Sequence, residues 1–242
     1  MLLKIIKRPQ LILFWRLACI LFVLLYYYPI SYGILRLATV VLGLGIWLGA
    51  FLLFKHQKLV RVFCIGMAVI AIAITLLPGR NVDSTRLRQA YVEELNSYTG
   101  TQYLWGGENK IGIDCSGLVR RGLINANVKQ GLSSLNPQPI REAISLWWYD
   151  ASAAALRDEY RNKTTRLERG VSINKLEHSN LQMGDIAVTV DGVHTLAYIG
   201  DNTWIEADPH YQKVIKVKIP DLKNPWFNVP IYIVRWQQFE TG

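Results

Sequence analysis

The sequence predicts three membrane-spanning helices at 1–80, followed by an α+β domain at 81–242. The first region contains three long apolar runs, which are typical of transmembrane helices. In the second region, apolar residues recur first at helical spacing and then, from residue 181, at the two-residue period of strands. Helices followed by consecutive strands indicate an α+β fold rather than an alternating α/β fold.

The apolar runs extend over about residues 11–28, 33–54 and 59–77. Each run is close to the ~20 residues that cross a hydrocarbon core of ~30 Å. Charged residues lie near the ends of the runs, where a long side chain such as Arg16 can snorkel to the interface. A cleaved signal peptide is disfavoured, because the first run lacks an Ala-x-Ala-like exit and further spans follow. Cys19 and Cys64 are interpreted as packing residues of these helices.

All of the net charge of +9 belongs to the apolar region. Residues 1–80 contain nine Lys or Arg and no Asp or Glu, whereas residues 81–242 contain eighteen of each class. This balance indicates membrane topology and not a nucleic-acid partner. Basic residues precede the first run and surround the turn between the second and third: Lys4, Lys7, Arg8, Lys55, Lys58 and Arg61. Since the turn at 26–32 is uncharged, we expect the N-terminus in the cytoplasm and residues 81–242 outside.

The helical half of the α+β domain is predicted in three parts. A helix capped by Asp83 or Ser84 ends near Gly100, and a second helix runs from about residue 115 to 131. Residues 137–160 are helical in pattern, and 161–180 are polar and charged, which favours an exposed loop. The aromatic cluster at 147–149 is interpreted as core by default, with a substrate wall or a membrane-surface patch as alternatives.

A glycine-rich loop leads into the second helix, and Cys115 is predicted to be its first residue. Gly106, Gly107 and Gly112 permit tight backbone turns, and Asp114 is a good N-cap. The positive end of the helix dipole favours the thiolate form of a cysteine in this position. The alternative is a small buried hydrophobe. An unpaired thiol in an oxidising compartment indicates a chemical role for Cys115 rather than a packing role.

Five strands are predicted at 186–190, 193–199, 203–207, 213–219 and 231–236. Asp191-Gly192 is a hairpin signal between the first two strands. The short connections between most of these strands predict a five-stranded antiparallel meander.

His194 is the candidate base for the Cys115 thiol, because a histidine on a sheet beside a helix start can take the thiol proton. Glu206 is the candidate for the residue that orients the imidazole, with Asp208 and His210 as reserves. A zinc site is disfavoured, because no CxxC, HxxxH or HExxH spacing appears. We therefore expect no metal and no cofactor.

The stretches Tyr-Leu-Trp-Gly-Gly…Gly-Ile-Asp-Cys-Ser-Gly-Leu-Val, Leu-Gln-Met-Gly-Asp-Ile and His-Thr-Leu-Ala-Tyr-Ile-Gly resemble the NlpC/p60 cysteine peptidases of bacterial cell walls. The resemblance covers about residues 85–236 and implies a papain-like domain. It implies Cys115 as nucleophile, His194 as base and Glu206 as third residue. It also implies substrate-binding roles for residues of the first motif: Tyr103, whose hydroxyl would point toward the nucleophile, Trp105, Asp114 and Ser116.

The resemblance implies hydrolysis of peptidoglycan stem peptides, often between D-γ-glutamyl and a diamino acid. The expected location is the bacterial cytoplasmic membrane, with the lipid bilayer and other membrane proteins as partners. The sequence departs from the family in its Glu206, where His, Asn or Gln is usual, in a longer insertion at 137–180, and in having spans instead of wall-binding repeats. The alternatives are a thiol acyltransferase or amidase acting on a lipid or lipoprotein, and a pseudoenzyme scaffold.

Overall fold

The computed structural model describes residues 8–240 and divides into two compact units, Met1–Leu77 and Pro78–Gly242. Lys4 and Lys7, which contribute to the predicted orientation, lie outside the described residues. In the described part of the first unit, the three predicted helices are present: α1 (Arg8–Tyr27), α2 (Gly33–Phe54) and α3 (Lys58–Leu76). Each is long and apolar enough to cross a membrane.

Indole groups connect neighbouring helices within the first unit. Nε1 of Trp15 in α1 donates to the carbonyl of Ile46 in α2, at 2.9 Å. Nε1 of Trp47 in α2 donates to the carbonyl of Cys64 in α3, at 3.1 Å. These contacts matter because a polar N–H in an apolar environment is costly unless it finds an acceptor. Cys64 is buried at this contact, as its interpretation as a packing residue expects.

The second unit begins with a helical half. Its described helices are α4 (Ser84–Asn96), α5 (Cys115–Ser134), α6 (Pro137–Trp148) and α7 (Ala153–Arg157). Asp83 caps α4 by accepting a hydrogen bond from the Arg86 N–H. The pattern that predicts one helical stretch over 137–160 corresponds to two helices. Trp147 packs against the core and Trp148 is partly exposed.

Among residues 8–240, six strands form one antiparallel sheet with the order β1-β6-β2-β3-β4-β5. Their bounds are β1 (Thr164–Gly170), β2 (Ile186–Thr189), β3 (Thr195–Gly200), β4 (Thr203–Asp208), β5 (Lys213–Lys218) and β6 (Ile231–Trp236). The α+β class is confirmed, whereas the simple meander is wrong. The long connection after β5 carries the chain back across the sheet, and β6 pairs with β2 instead of β5.

The expectation of an exposed loop at 161–180 is wrong for β1. This strand pairs with β6 along the sheet edge, from Thr164 opposite Trp236 to Gly170 opposite Ile231. Most of its side chains are exposed and several are charged. Edge strands often carry charged side chains, which prevent pairing with another chain. Such a strand therefore has the polar composition of a loop.

Apolar residues alternate between the two faces of the sheet, and each face has its own core. Ile186, Val188 and Ile205 belong to the core that packs against the helices. Trp204 and Leu196 belong to a second core on the opposite face, which Phe227 covers from the connection before β6. Glu206 lies two residues after Trp204 in β4, and His194 lies two residues before Leu196, directly ahead of β3. Both side chains therefore point toward the face of Trp204 and Leu196.

Candidate active site

Cys115 is the first residue of α5, as the sequence predicts. The preceding loop folds back on itself: the Leu104 N–H donates to the Ile113 carbonyl at 3.0 Å, and the Asp114 N–H donates to the Gly107 carbonyl at 3.1 Å. A Cβ at Gly117 would collide with the Gly107 carbonyl oxygen. Glycine at 117 therefore permits the close approach of the loop to the first turn of α5, which fixes the position of the thiol.

Asp114 caps α5 and ties the loop to it. Its Oδ1 accepts from the Gly117 N–H at 2.5 Å and from the Ser116 hydroxyl at 3.0 Å, and its Oδ2 accepts from the Gly106 N–H at 2.9 Å. Burial raises the pKa of Asp114, against the lowering effect of these hydrogen bonds and of His194. In this structure the carboxylate is engaged with its own loop. Its predicted contact with a substrate stays a prediction, as does that of Ser116.

His194 lies directly before β3, at the end of the hairpin turn that Asp191-Gly192 predicts. Its imidazole Nε2 lies 2.6 Å from Oε2 of Glu206 in β4. The two side chains are 2% and 0% exposed. The Cys115 side chain interacts electrostatically with the ring, and its Sγ lies 3.8 Å from the carbonyl oxygen of Val193, the residue before His194. Since Nε2 faces Glu206, Nδ1 is the ring nitrogen left for the thiol. The structure thus brings together Cys115, His194 and Glu206.

The electrostatics of His194 favour its charged form. Burial, the largest single effect, lowers the pKa of the imidazole. Interactions with Cys115 and Glu206 act together in the opposite direction and raise the pKa to about 9. Burial raises the pKa of Glu206, opposed by its contacts with His194 and Asn224. At neutral pH the ring therefore carries a proton that it can donate.

Two further side chains contact this pair, and sequence reasoning missed both. Nδ2 of Asn224 donates to Oε1 of Glu206 at 2.6 Å. The indole of Trp226 stacks on the imidazole of His194, with ring centroids 4.2 Å apart and an interplanar angle of 18°. Asn224-Pro225 is a recognisable start of a helical turn, but nothing in its spacing connects it with Glu206.

The reserve candidates for the third residue lie elsewhere. Oδ1 of Asp208 accepts from the backbone N–H groups of His210 and Tyr211, at 2.6 and 2.9 Å, and so fixes the turn after β4. His210 stacks edge-on against Tyr211. Glu206, and neither reserve, occupies the position beside the imidazole.

Tyr103 and Trp105 differ in their surroundings. Burial, followed by the negative charges of Cys115, Asp114 and Asp208, raises the pKa of Tyr103 to about 12. Its phenol therefore stays protonated at neutral pH and is available as a donor near the thiol. The side chain of Trp105 is 75% exposed, so it is free to contact a ligand at the surface of the loop. Both substrate-binding roles stay predictions.

The segment at 137–180 contacts the turn before His194 and, through Arg120, the glycine-rich loop before Cys115. Arg157 in α7 donates to the Val190 carbonyl at 2.6 Å, next to the turn that carries Val193 and His194. Arg120 in α5 forms ion pairs with Glu108 of the glycine-rich loop and with Asp150 between α6 and α7. Within the described residues, no cluster of His, Cys, Asp and Glu is arranged to hold a metal ion.

The family model described as NlpC/P60 family matches residues 100–234, more than half of the chain. Among solved structures, NlpC2 from Trichomonas vaginalis is 17% identical with a TM-score of 0.40, covering 64% of this chain and 48% of that chain. The peptidoglycan hydrolase RipB from Mycobacterium tuberculosis is 16% identical with a TM-score of 0.39, covering 66% of this chain and 69% of that chain.

The chain spans about half of the length of the Trichomonas protein. No curated protein matches it. The family match includes the glycine-rich loop, Cys115, His194 and Glu206, and it agrees with the resemblance that the sequence motifs predict. The chain belongs to the NlpC/P60 family.

Proposed function

We propose that the chain is a membrane-anchored cysteine peptidase that hydrolyses stem peptides of bacterial peptidoglycan. The observation that carries this proposal is the arrangement of Cys115 at the start of α5, His194 directly before β3, and Glu206 within β4. A thiol at a helix start, a buried imidazole with a raised pKa and a carboxylate on its far nitrogen form a nucleophile, an acid–base and an orienting group.

The reaction proceeds by acyl transfer through the thiol. The Cys115 thiolate attacks the amide carbonyl, and backbone N–H groups at the start of α5 stabilise the oxyanion. The C–N bond breaks as the His194 imidazolium donates its proton to the leaving amine. Water then attacks the thioester, His194 accepts a proton from it, and the C–S bond breaks to release the carboxylate product and the thiolate.

The bond between D-γ-glutamyl and a diamino acid is the proposed cleavage point, as the family resemblance implies. Trp105, Tyr103 and Ser116 are the proposed contacts with the peptide. Tyr103 supports this role because its phenol stays protonated beside Cys115.

The first unit is proposed to anchor the enzyme in the cytoplasmic membrane, with the second unit on the outer side. Three helices of suitable length and hydropathy support the anchor. Lys55 and Lys58 near the turn between α2 and α3, set against an uncharged link between α1 and α2, support the orientation. Such an anchor holds the site close to the wall.

The test uses the full chain in detergent micelles, wild type beside Cys115→Ala, incubated with peptidoglycan and with isolated stem peptides. Mass spectrometry identifies the products. We expect wild-type cleavage that disappears in the variant, and the new amino terminus names the bond. Release of acyl chains from lipids or lipoproteins, with intact stem peptides, would instead favour the acyltransferase or amidase alternative.

A further inference from the structure

We propose that Asn224 and Trp226 are positioning residues of the thiol–imidazole site: Asn224 fixes the Glu206 carboxylate, and Trp226 holds the ring of His194. The inference rests on the proposed catalytic roles of Cys115 and His194. It adds a fourth element of structure, the turn before β6, to the loop, helix and strands that build the site.

Glu206 requires a second donor because its side chain is completely buried. His194 occupies Oε2, so Oε1 needs a donor of its own. A buried carboxylate oxygen without a donor is costly, and hydrogen bonds to charged groups are among the strong ones. Nδ2 of Asn224 supplies that donor at 2.6 Å. Asn224 therefore determines both the charge and the direction of the carboxylate.

The orientation of the Asn224 amide is determined by its own contacts. Its Oδ1 accepts from the Trp226 backbone N–H at 3.0 Å, and its backbone N–H donates to Oδ1 of Asp221 at 3.1 Å. If the amide were flipped, Oδ1 of Asn224 would face Oε1 of Glu206, and two acceptors would be opposed. The hydrogen bond from the Trp226 backbone N–H would also be lost. Because Asn224 is 1% exposed, water has little access to compensate for either loss.

Trp226 is held against His194 at an energetic cost. Its indole Nε1 is buried and has no hydrogen-bond partner among the described residues. An unsatisfied buried donor is destabilising, so an indole at this place needs another stabilising contact. The stack on His194, 4.2 Å between centroids at 18°, supplies it, since an indole face attracts a cation more strongly than other aromatic faces. The stack favours the imidazolium and prevents the ring from rotating away from Glu206.

The turn that carries both side chains is firmly attached to the second core. Phe227, which follows Trp226, is fully buried there. Asn174 holds the start of the turn through reciprocal bonds with the backbone of Asp221, at 2.7 and 3.0 Å. One rigid segment thus places a donor on Glu206 and an aromatic face on His194 at the same time.

The charged groups around the ring predict the direction of the effect. Cys115 and Asp114 approach from the start of α5, Glu206 from β4, and Asp208 acts on Glu206 from the same strand. All of them are acidic. Without Asn224, Glu206 is protonated more readily, and a neutral Glu206 no longer attracts the imidazolium. Without the indole face, the imidazolium loses a stabilising contact. Either change lowers the pH at which His194 gives up its proton.

The test measures alkylation of Cys115 by iodoacetamide against pH in the full chain, quantified on the Cys115 peptide by mass spectrometry. This readout needs no substrate. We expect the alkylation rate of wild-type Cys115 to show an inflection in the alkaline range, where His194 loses its proton. Asn224→Ala and Trp226→Leu should each move this inflection about half a pH unit or more toward neutral. Trp226→Phe, which keeps an aromatic face and removes the unsatisfied N–H, should move it less without loss of thermal stability.

Asn228→Ala is the matched control. Asn228 belongs to the same turn and bonds the carbonyls of Leu222 and Asn224, at 3.2 and 3.0 Å, without contacting Glu206. Its inflection should equal that of wild type. An unchanged inflection in Asn224→Ala and Trp226→Leu, or an equal shift in Asn228→Ala, overturns the inference. If the wild type does not cleave stem peptides, the proposed substrate is wrong, while the alkylation profile still tests the roles of Asn224 and Trp226.

Discussion

Nε2 of His194 lies 2.6 Å from Oε2 of Glu206, and both side chains are almost completely excluded from solvent. Burial alone would lower the pKa of the imidazole, but Cys115 and Glu206 together raise it to about 9. A neutral third residue would orient the ring without adding a charge. The carboxylate does both, so the site holds an imidazolium across the neutral range.

Stability should decrease with rising pH between about 6.5 and 9. The pKa of His194 is higher in the folded chain than its ordinary value of 6.5, so the folded state binds this proton more tightly. The resulting stabilisation is complete below pH 6.5 and is lost as pH rises through about 9. Thermal unfolding of the second unit across this range measures it. The same pH slope in His194→Gln would contradict the prediction.

Glu206→Gln should separate orientation from charge. The amide oxygen can still accept from Nε2 of His194, but the negative charge is gone. We expect the alkaline limb of kcat/KM to move to lower pH, with a loss of activity of about tenfold at neutral pH. Glu206→Ala, which also removes the hydrogen bond, should lose about a hundredfold. An unchanged pH profile in Glu206→Gln would mean that the charge does not hold the imidazolium.

Asp114→Ala and Ser116→Ala should distinguish loop structure from substrate binding. Asp114→Ala removes the cap of α5 and the bond to Gly106, so the unfolding free energy should fall by about 1–2 kcal/mol, together with activity. Ser116→Ala leaves the backbone contacts in place. If Ser116 receives the peptide end, its variant raises KM with little change in unfolding temperature. An unchanged KM would leave Ser116 as a partner of Asp114 only.

The helix that begins at Cys115 and the position of His194 could be predicted from the sequence because their signals are local. Asp114 as N-cap, Cys115 as first helical residue and the Asp191-Gly192 turn before His194 each depend on a few adjacent positions. Glu206 was accessible because a carboxylate in an otherwise apolar strand needs a partner. These local signals also gave the α+β class.

The missed features depend on contacts between distant segments. The position of β6 between β1 and β2 follows from where a long connection crosses the sheet, and strand periodicity does not record it. β1 forms at an edge from a charged stretch because β6 offers a partner. Asn224 reaches Glu206 from eighteen positions away, through a turn whose path only the packed structure determines.

Arg120 should be essential to the stability of the second unit. Its guanidinium is 2% exposed and pairs with Glu108, itself 8% exposed, and with Asp150. Arg120→Met would leave the Glu108 carboxylate buried without its cation, which typically costs about 3–5 kcal/mol of unfolding free energy. Because Glu108 belongs to the glycine-rich loop before Cys115, peptidase activity should fall as well. Denaturant unfolding of the full chain measures the change in stability.

The matched control is Lys129→Ala, on the same helix as Arg120. It breaks an ion pair with Glu93 of α4, at 2.7 Å, in which both side chains are largely exposed. Water screens such a pair, so we expect no measurable change. Arg120→Met combined with Glu108→Gln should recover part of the loss, since the uncompensated charge is then removed as well. If Arg120→Met is as mild as Lys129→Ala, the buried pair does not hold the loop. In that case the backbone hydrogen bonds of the loop and the side-chain bonds of Asp114 would be responsible for the position of Cys115.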